Sequence, residues 1–459
     1  MSEPACYCRR CGYDLRAATS RCPECGREFD PADPRTFRRR PPRGAVWRWG
    51  RRVLLTVLVL CVMLASVWGW LYWGWKSEQR ALDKMGVSST SVEPLGGKKL
   101  QAYLGSSGWV LDRVTHLNLR WNTTDGDLAQ LKEFPWLGSV FLGYRPDEIV
   151  DPGIRTEGPL PSDLDYQITD AGMIHFEGLK PLLRVDLHDI KVSDAGLVHL
   201  KDLTGLQMLD LSGTGITDAG LVYLKDLKDL QRLKLSGTKI TSDGLIHLKD
   251  LRCLQSLYLK GTEITDAGLI YLKELKRLEI LNLNQTKITD AGLASLKDLM
   301  GLQHLGLQAT CITDAGLCQL KGLKVLKSLD LSKTQISDQA LVCLRDHLGL
   351  DVLSLAATRV TDAGLTELEN LKELRHLNLS DTQVSDAGLD HLRVLDRLTV
   401  IYMTRTKVTA AGFKALRIAL PKAIVVEYPA DVGKRPFASR SCYFPERNGP
   451  KIYPRVQTD

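Results

Sequence analysis

Leu209-Asp-Leu-Ser-Gly-Thr-Gly-Ile216-Thr-Asp-Ala-Gly-Leu-Val-Tyr-Leu-Lys-Asp-Leu227 is one copy of a phrase that recurs through most of this 459-residue chain. Its Ile or Val falls at Ile168, Val192, Ile216, Ile240, Ile264, Ile288, Ile312, Ile336, Val360, Val384 and Val408, a constant step of 24 residues. A step that never slips means that one supersecondary unit is being stacked.

Within the unit, alternation turns Leu209 and Leu211 to one side and Met208 and Asp210 to the other, the period of a short strand. Thr214 recurs as Thr238, Thr262, Thr286, Thr310, Thr334, Thr358, Thr382 and Thr406. A hydroxyl there can bond the backbone as the chain turns. Thr217 followed by Asp218 is a helix-start signal, and Leu221, Leu224 and Leu227 continue inward at spacing three. One copy buries too little to fold alone, so neighbours must cover both of its open faces. The predicted fold is α/β: a parallel strand-and-helix solenoid of about 13 strands, from Leu117 to Val425.

These residues resemble the leucine-rich repeat family. The Thr-Asp-Ala-Gly-Leu phrase is similar to the variant of bacterial repeat proteins and of the repeats in F-box proteins, with Thr where the family usually has Asn or Cys. The resemblance covers about residues 114–428. The strand phrase opens at Leu117-Asn-Leu119 and recurs at Val140-Phe-Leu142. Leu142 then precedes Ile168 by 26 residues, where Leu211 precedes Ile216 by 5, so Gly143 to Asp163 reads as an insert. Such a loop is a candidate binding element, or a tolerated surface excursion. Residues 76–113 read as a spacer and N-terminal cap, with helical candidates at Glu78 to Met85 and Lys98 to Leu104. Residues 429–459 read as a flexible basic tail.

The net charge of +7 is local. Residues 1–52 hold 13 Lys and Arg against 6 Asp and Glu, and the rest balances at 48 of each. Electrostatic attraction to a partner therefore belongs to the N-terminal arm. The cysteines divide too: five lie within residues 6–25, one is Cys61, and Cys253, Cys311, Cys318, Cys343 and Cys442 are scattered. The scattered five show no disulfide framework. Cys318 and Cys343 sit one column apart in successive repeats, where neighbouring helices are expected to hold their Cα atoms beyond bridging distance.

Cys8-Arg-Arg-Cys11-Gly12 and Cys22-Pro-Glu-Cys25-Gly26 are two Cys-x-x-Cys-Gly turns. That spacing lets four sulfurs point at one metal, which predicts a closed structural zinc site held by Cys8, Cys11, Cys22 and Cys25 within a ribbon over residues 1–30. It offers almost no apolar core, only Tyr13, Leu15 and Phe29, so the metal supplies most of the folding energy. Cys6 is a spare thiol. The segment resembles short zinc-ribbon modules at the N-termini of bacterial membrane proteins, those opening Cys-Gly-Tyr-Asp-Leu, here Cys11 to Leu15. The resemblance implies a structural metal and a protein or nucleic-acid contact, without catalysis.

Residues 31–52 form a basic linker rich in Pro and Arg. Val53 to Trp75 follows as 23 residues without a charge. As a helix it extends roughly 34 Å against about 30 Å of bilayer hydrocarbon. Trp47 and Trp49 lie at one end; Trp68, Trp70, Tyr72, Trp73 and Trp75 lie at the other, like interfacial belts. The arginines upstream place the N-terminus in the cytoplasm and the repeats outside it. Reduced zinc-binding thiols suit that side. About fifty residues precede the apolar run and no small-residue cleavage site follows it, so it reads as an anchor and not a signal peptide.

On the repeats, the outward column through Asp210 reads Asp186, Asp210, Lys234, Tyr258, Asn282, Gly306, Asp330, Ser354, Asn378, Tyr402. Neither it nor its neighbour repeats a nucleophile with a base, and no phosphate-binding glycine loop occurs, so no catalytic residue is assigned. Tyr258, His304, His376 and Tyr402 are the candidate partner-binding residues. The expected function is a membrane-anchored, non-enzymatic solenoid that binds protein or glycan. Two other readings stand beside it: a cytoplasmic adaptor of F-box type, and a membrane-tethered regulator that binds nucleic acid through residues 1–45.

Overall fold

The computed structural model describes residues 6–11, 13–16, 20–39, 45–85, 89–94, 112–119, 123–142 and 167–427. The insert 143–163, the second cap helix at 98–104 and the tail 429–459 lie outside the described residues. The chain divides into two units, Met1–Ser77 and Glu78–Asp459.

In the first unit, β1 (Tyr7–Cys8) pairs antiparallel with β2 (Phe37–Arg38). Phe37 packs with Cys8, Leu15, Cys22 and Phe29 in a small core, whereas Tyr13, expected inside, is exposed. The ribbon therefore extends to Arg38, past the expected boundary at residue 30, because the pairing of β1 needs a strand the cysteine spacing does not reveal. The helix α1 runs over Ala45–Met85, beyond the expected span 53–75 at both ends. Residues 78–82 and Lys84 are good helix formers, and no Gly or Pro follows until Gly86. Within it, Thr56–Leu82 is long and apolar enough to cross a membrane by length and composition.

The second unit is a sheet of 14 strands. They are β3 (Ser89–Pro94), β4 (Asp112–Asn118), β5 (Ser139–Phe141), β6 (Arg184–Asp186), β7 (Met208–Asp210), β8 (Arg232–Lys234), β9 (Ser256–Tyr258), β10 (Ile280–Asn282), β11 (His304–Gly306), β12 (Ser328–Asp330), β13 (Val352–Ser354), β14 (His376–Asn378), β15 (Val400–Tyr402) and β16 (Ile424–Val426). From β4 to β16 the ladder is parallel and consecutive, with Leu209 opposite Leu233 and Leu233 opposite Leu257. The strand β3 pairs antiparallel on the outer side of β4, within the stretch expected to act as spacer and cap. The last turns of α1 cover the same end: Ala81 is buried in the core, and the buried Glu78 accepts the Val114 N–H at Oε2 (3.3 Å). At the other end a ten-residue helix, Ala410–Ala419, buries Phe413 and Leu416.

Each return path is short. In the quoted copy it is one α-helical turn, Asp218–Leu221, followed by a 3-10 turn, Val222–Leu224. Leu209, Leu211, Ile216, Leu221, Leu224, Leu227 and Leu230 are fully buried, as the pattern predicts. The Thr214 hydroxyl donates to the Leu211 carbonyl (2.6 Å), and its equivalents at Thr238 through Thr382 do likewise. The Thr217 hydroxyl accepts from the Ala219 N–H as the N-cap.

Repeats are tied together by the Asp of Thr-Asp-Ala-Gly. Asp194 accepts the Thr217 N–H at Oδ1 (2.8 Å) and the Thr217 hydroxyl at Oδ2 (2.5 Å). The pattern returns at Asp218 with Thr241, Asp290 with Thr313 and Asp362 with Ser385. A Cβ on Gly220 would overlap Asp194 Oδ1, so glycine suits the place two residues after the acid, and Ala340 is the copy where a side chain is accommodated beside Asp314.

One expectation is overturned. Cys318 and Cys343 form a disulfide, with Cα atoms 5.1 Å apart. The expected separation is that of packed α-helices, about 8–10 Å between axes; here single helical turns of successive repeats stack much closer.

Candidate functional site

The first candidate is the thiol cluster. Two knuckles of similar backbone build it: the Cys8 N–H donates to the Tyr13 carbonyl (2.9 Å) and the Cys22 N–H to the Arg27 carbonyl (2.8 Å). Gly26 sits at φ +67°, where a side chain would be strained. The sulfurs of Cys8, Cys11, Cys22 and Cys25 all lie within 4.8 Å of one another. Cys8 and Cys25 are 3.6 Å apart and Cys11 and Cys22 are 3.5 Å apart. Four thiolates about 2.3 Å from a tetrahedral zinc stand about 3.8 Å apart, so the donor set fits such an ion.

The thiols do not ionise alike. Burial opposes ionisation of Cys8, but the N–H groups of Cys11 and Arg10 and the neighbouring thiols outweigh it and bring the group down to about 6. At Cys11, burial together with the surrounding sulfurs pushes the thiol up to about 12. Four negative charges cannot share so small a volume without a cation. The four expected ligands are thus brought together and could hold a metal ion. Cys6 packs beside the small core.

The second candidate is the outward face of the strands. The four residues singled out there do not form one patch: Tyr258 lies on β9, His304 on β11, His376 on β14 and Tyr402 on β15. His304 and His376 are three strands apart, roughly 14 Å at strand spacing. Tyr258 belongs to a ladder in which Lys234 Nζ lies 3.0 Å from Asp210 Oδ2 and 5.9 Å from the Tyr258 ring centroid. Tyr402 is exposed, and His376 is half-buried, with burial lowering its tendency to take a proton.

Between them lies a polar cluster that the sequence reading missed. Asp330 accepts the Ser332 hydroxyl (2.6 Å) and N–H (3.0 Å), and Ser332 Oγ lies 2.6 Å from Ser354 Oγ. Asp330, Ser332 and Ser354 are buried, and burial raises the Asp330 carboxyl above the usual carboxylate range. Small side chains in successive copies of one column were the available signal. Among the described residues, the cysteine cluster is the one set with metal-ligand geometry.

Residues 204–264 match a leucine-rich repeat family model, and residues 277–297, 323–344 and 372–396 match a second one. No curated protein sequence matches the chain. Among solved structures, an internalin (inlF) from Listeria monocytogenes is similar at 19% identity and TM-score 0.51, over 75% of this chain and 99% of that one. A TDR receptor is similar at 17% identity and TM-score 0.42, over 66% of this chain and 48% of that one. The internalin likeness establishes the fold. Residues 204–264, 277–297, 323–344 and 372–396 carry leucine-rich repeats, and the 24-residue phrase that runs through them is one such repeat.

Proposed function

We propose that this is a single-pass membrane protein that presents a non-catalytic leucine-rich-repeat surface to a protein ligand outside the cytoplasm, with a zinc-loaded ribbon on the inner side. The observation that carries the binding role is the sheet itself. Thirteen parallel strands in unbroken register hold leucines inward and, outward, side chains that differ from strand to strand. Leucine-rich-repeat solenoids generally bind other proteins, and a fixed frame carrying varied polar and aromatic groups suits that role.

The anchor rests on α1. Val57 to Leu64, Trp70 and Trp73 expose apolar side chains that a bilayer would cover. Glu78 and Ala81 belong to the solenoid cap, so the bilayer portion ends before them. Cysteine chemistry supports the orientation: the repeats carry a disulfide, which persists in an oxidising compartment, while the ribbon needs thiolates, which a reducing cytoplasm preserves.

Photo-crosslinking in the native envelope tests the binding role. A crosslinker at Tyr258 or Tyr402 is expected to capture protein, and one at Val342, on the helical side, is not; adducts at Val342 alone would overturn the reading. Protease treatment of intact cells tests the orientation. Digestion of an N-terminal tag with the repeats protected would reverse it.

A further inference from the structure

Ten copies of the repeat place a residue in one inner column, which holds leucine from Leu179 to Leu323 and at Leu371 and Leu395, with His347 between them. His347 sits in a leucine's seat and is fully buried. Its Nε2 lies 3.3 Å from the Leu320 carbonyl of the preceding repeat, and its Nδ1 has no hydrogen-bond partner. The disulfide joins the same two repeats, since Cys318 stands two residues before Leu320 and Cys343 four before His347. Among the described residues this is the single disulfide, and it links the two repeats between which the one polar residue of the leucine column is buried.

We propose that Cys318–Cys343 is a clasp over an acid-sensitive joint between the repeats of β11 and β12, so that the joint opens only when the disulfide is reduced and His347 is protonated. Protonation puts a cation among Leu323, Leu371 and the flanking core. The Leu320 carbonyl can accept one N–H, and the second N–H is left without an acceptor. The charged groups acting on the imidazole do not rescue it. Lys324 of the preceding repeat is itself positive, and the Asp346 carboxylate, also acted on by Lys321, is already paired with Lys324 at 3.1 Å. Arg345 pairs with Glu367 of the following repeat, so the opposite joint keeps its tie.

A solenoid is stabilised repeat by repeat, so one weakened interface can separate without global unfolding. The covalent link denies that separation while oxidised. Opening needs a dithiol reductant: the two sulfurs of the bridge take up two electrons and two protons to become thiols, and the dithiol becomes a disulfide.

Hydrogen exchange on the full chain in lipid nanodiscs tests this, read from peptides covering residues 304–352, well above and well below the ordinary imidazole pKa of about 6.5. The oxidised chain is expected to exchange alike at both pH values, once intrinsic rates are corrected. The chain reduced at neutral pH is expected to exchange about tenfold faster or more in these peptides at acid pH only. The Cys318→Ser/Cys343→Ser variant should reproduce that response without reductant, and His347→Leu added to it should abolish it. Equal protection of the reduced chain at both pH values overturns the proposal, as does an acid response that survives His347→Leu. Free thiols at Cys318 and Cys343 in the chain isolated without reductant would also overturn it.

Discussion

Asp125 and Thr169 are 44 residues apart, yet they make the same two hydrogen bonds as Asp194 and Thr217, which are 23 apart: N–H to Oδ1 at 2.8 Å and hydroxyl to Oδ2 at 2.7 Å. The strands beside them also pair in register, Val140 opposite Val185. The break at residues 143–163 interrupts the chain and not the stack. Asp125→Ala is therefore expected to cost as much as Asp194→Ala, about 1.5–3 kcal/mol each, for two hydrogen bonds to a carboxylate. Urea denaturation of the two variants checks it. A near-neutral Asp125→Ala would mean that the seam is not an ordinary joint.

One joint lacks its aspartate. Ser242 stands in that place, accepting the Thr265 N–H at 3.0 Å and lying 2.9 Å from Thr265 Oγ1. Ser242→Asp restores the two-oxygen acceptor beside Gly268, whose missing side chain leaves room for it. The expected gain is about 1 kcal/mol, seen as a higher urea midpoint with an unchanged slope.

The features that repeat were legible because a period reports on packing: the step of 24 gave strand, turn, N-cap and inner leucines, and each is found where expected. What escaped depends on contacts that no period carries. Phe37 reaches the ribbon core through pairing of Arg38 with Tyr7, across a stretch that reads as linker. The Cys318–Cys343 bridge depends on how tightly single helical turns stack, which composition does not reveal. The four thiols were legible because Cys-x-x-Cys-Gly is itself a geometry. Asp330, Ser332 and Ser354 were not, since their meeting depends on burial in neighbouring strands.

From β6 to β15 the turn after each strand passes through the left-handed region. Glycine takes it at Gly213, Gly237 and Gly261, but Asp189, Gln285, Ala309, Lys333, Ala357, Asp381 and Arg405 occupy the same place at φ 53–59°. A non-glycine residue there costs roughly 1–2 kcal/mol, part of which glycine gives back through its freer unfolded chain. Ala309→Gly and Ala357→Gly are each expected to stabilise by about 0.5–1 kcal/mol, and Gly213→Ala to destabilise by a similar amount. Thermal midpoints of the three variants decide it.

Asp330 sets a pH dependence of its own. Burial raises its carboxyl in the folded chain, so the fold holds the proton more tightly than the unfolded chain does. Its contribution to stability is then greatest at low pH. It declines as pH rises from the unfolded value through the folded one, and stays low above both. Asp330→Asn keeps an oxygen to accept both Ser332 groups and removes the buried charge. The variant is expected to exceed the parent at neutral pH, with the difference vanishing in acid below the ordinary carboxylate range. An Asn variant less stable at neutral pH would show instead that the charge is well compensated, with Lys260 as a cation acting on it.

The ribbon should stand or fall with its metal. Its core is three side chains, Leu15, Phe29 and Phe37, and two of the four clustered cysteines, Cys8 and Cys22. So small an apolar content cannot offset the ordering of some thirty residues, whereas structural zinc contributes about 10–16 kcal/mol in comparable modules. One zinc per chain is expected by elemental analysis, and Cys22→Ser should lower the occupancy and release the pairing of Tyr7 with Arg38. A strong chelator should unfold the ribbon and leave the melting of the repeats unchanged, because no ligand comes from them. Acid should release the metal as protons compete for the thiolates. A ribbon that keeps its strand pairing after chelation would show that the four sulfurs meet for another reason.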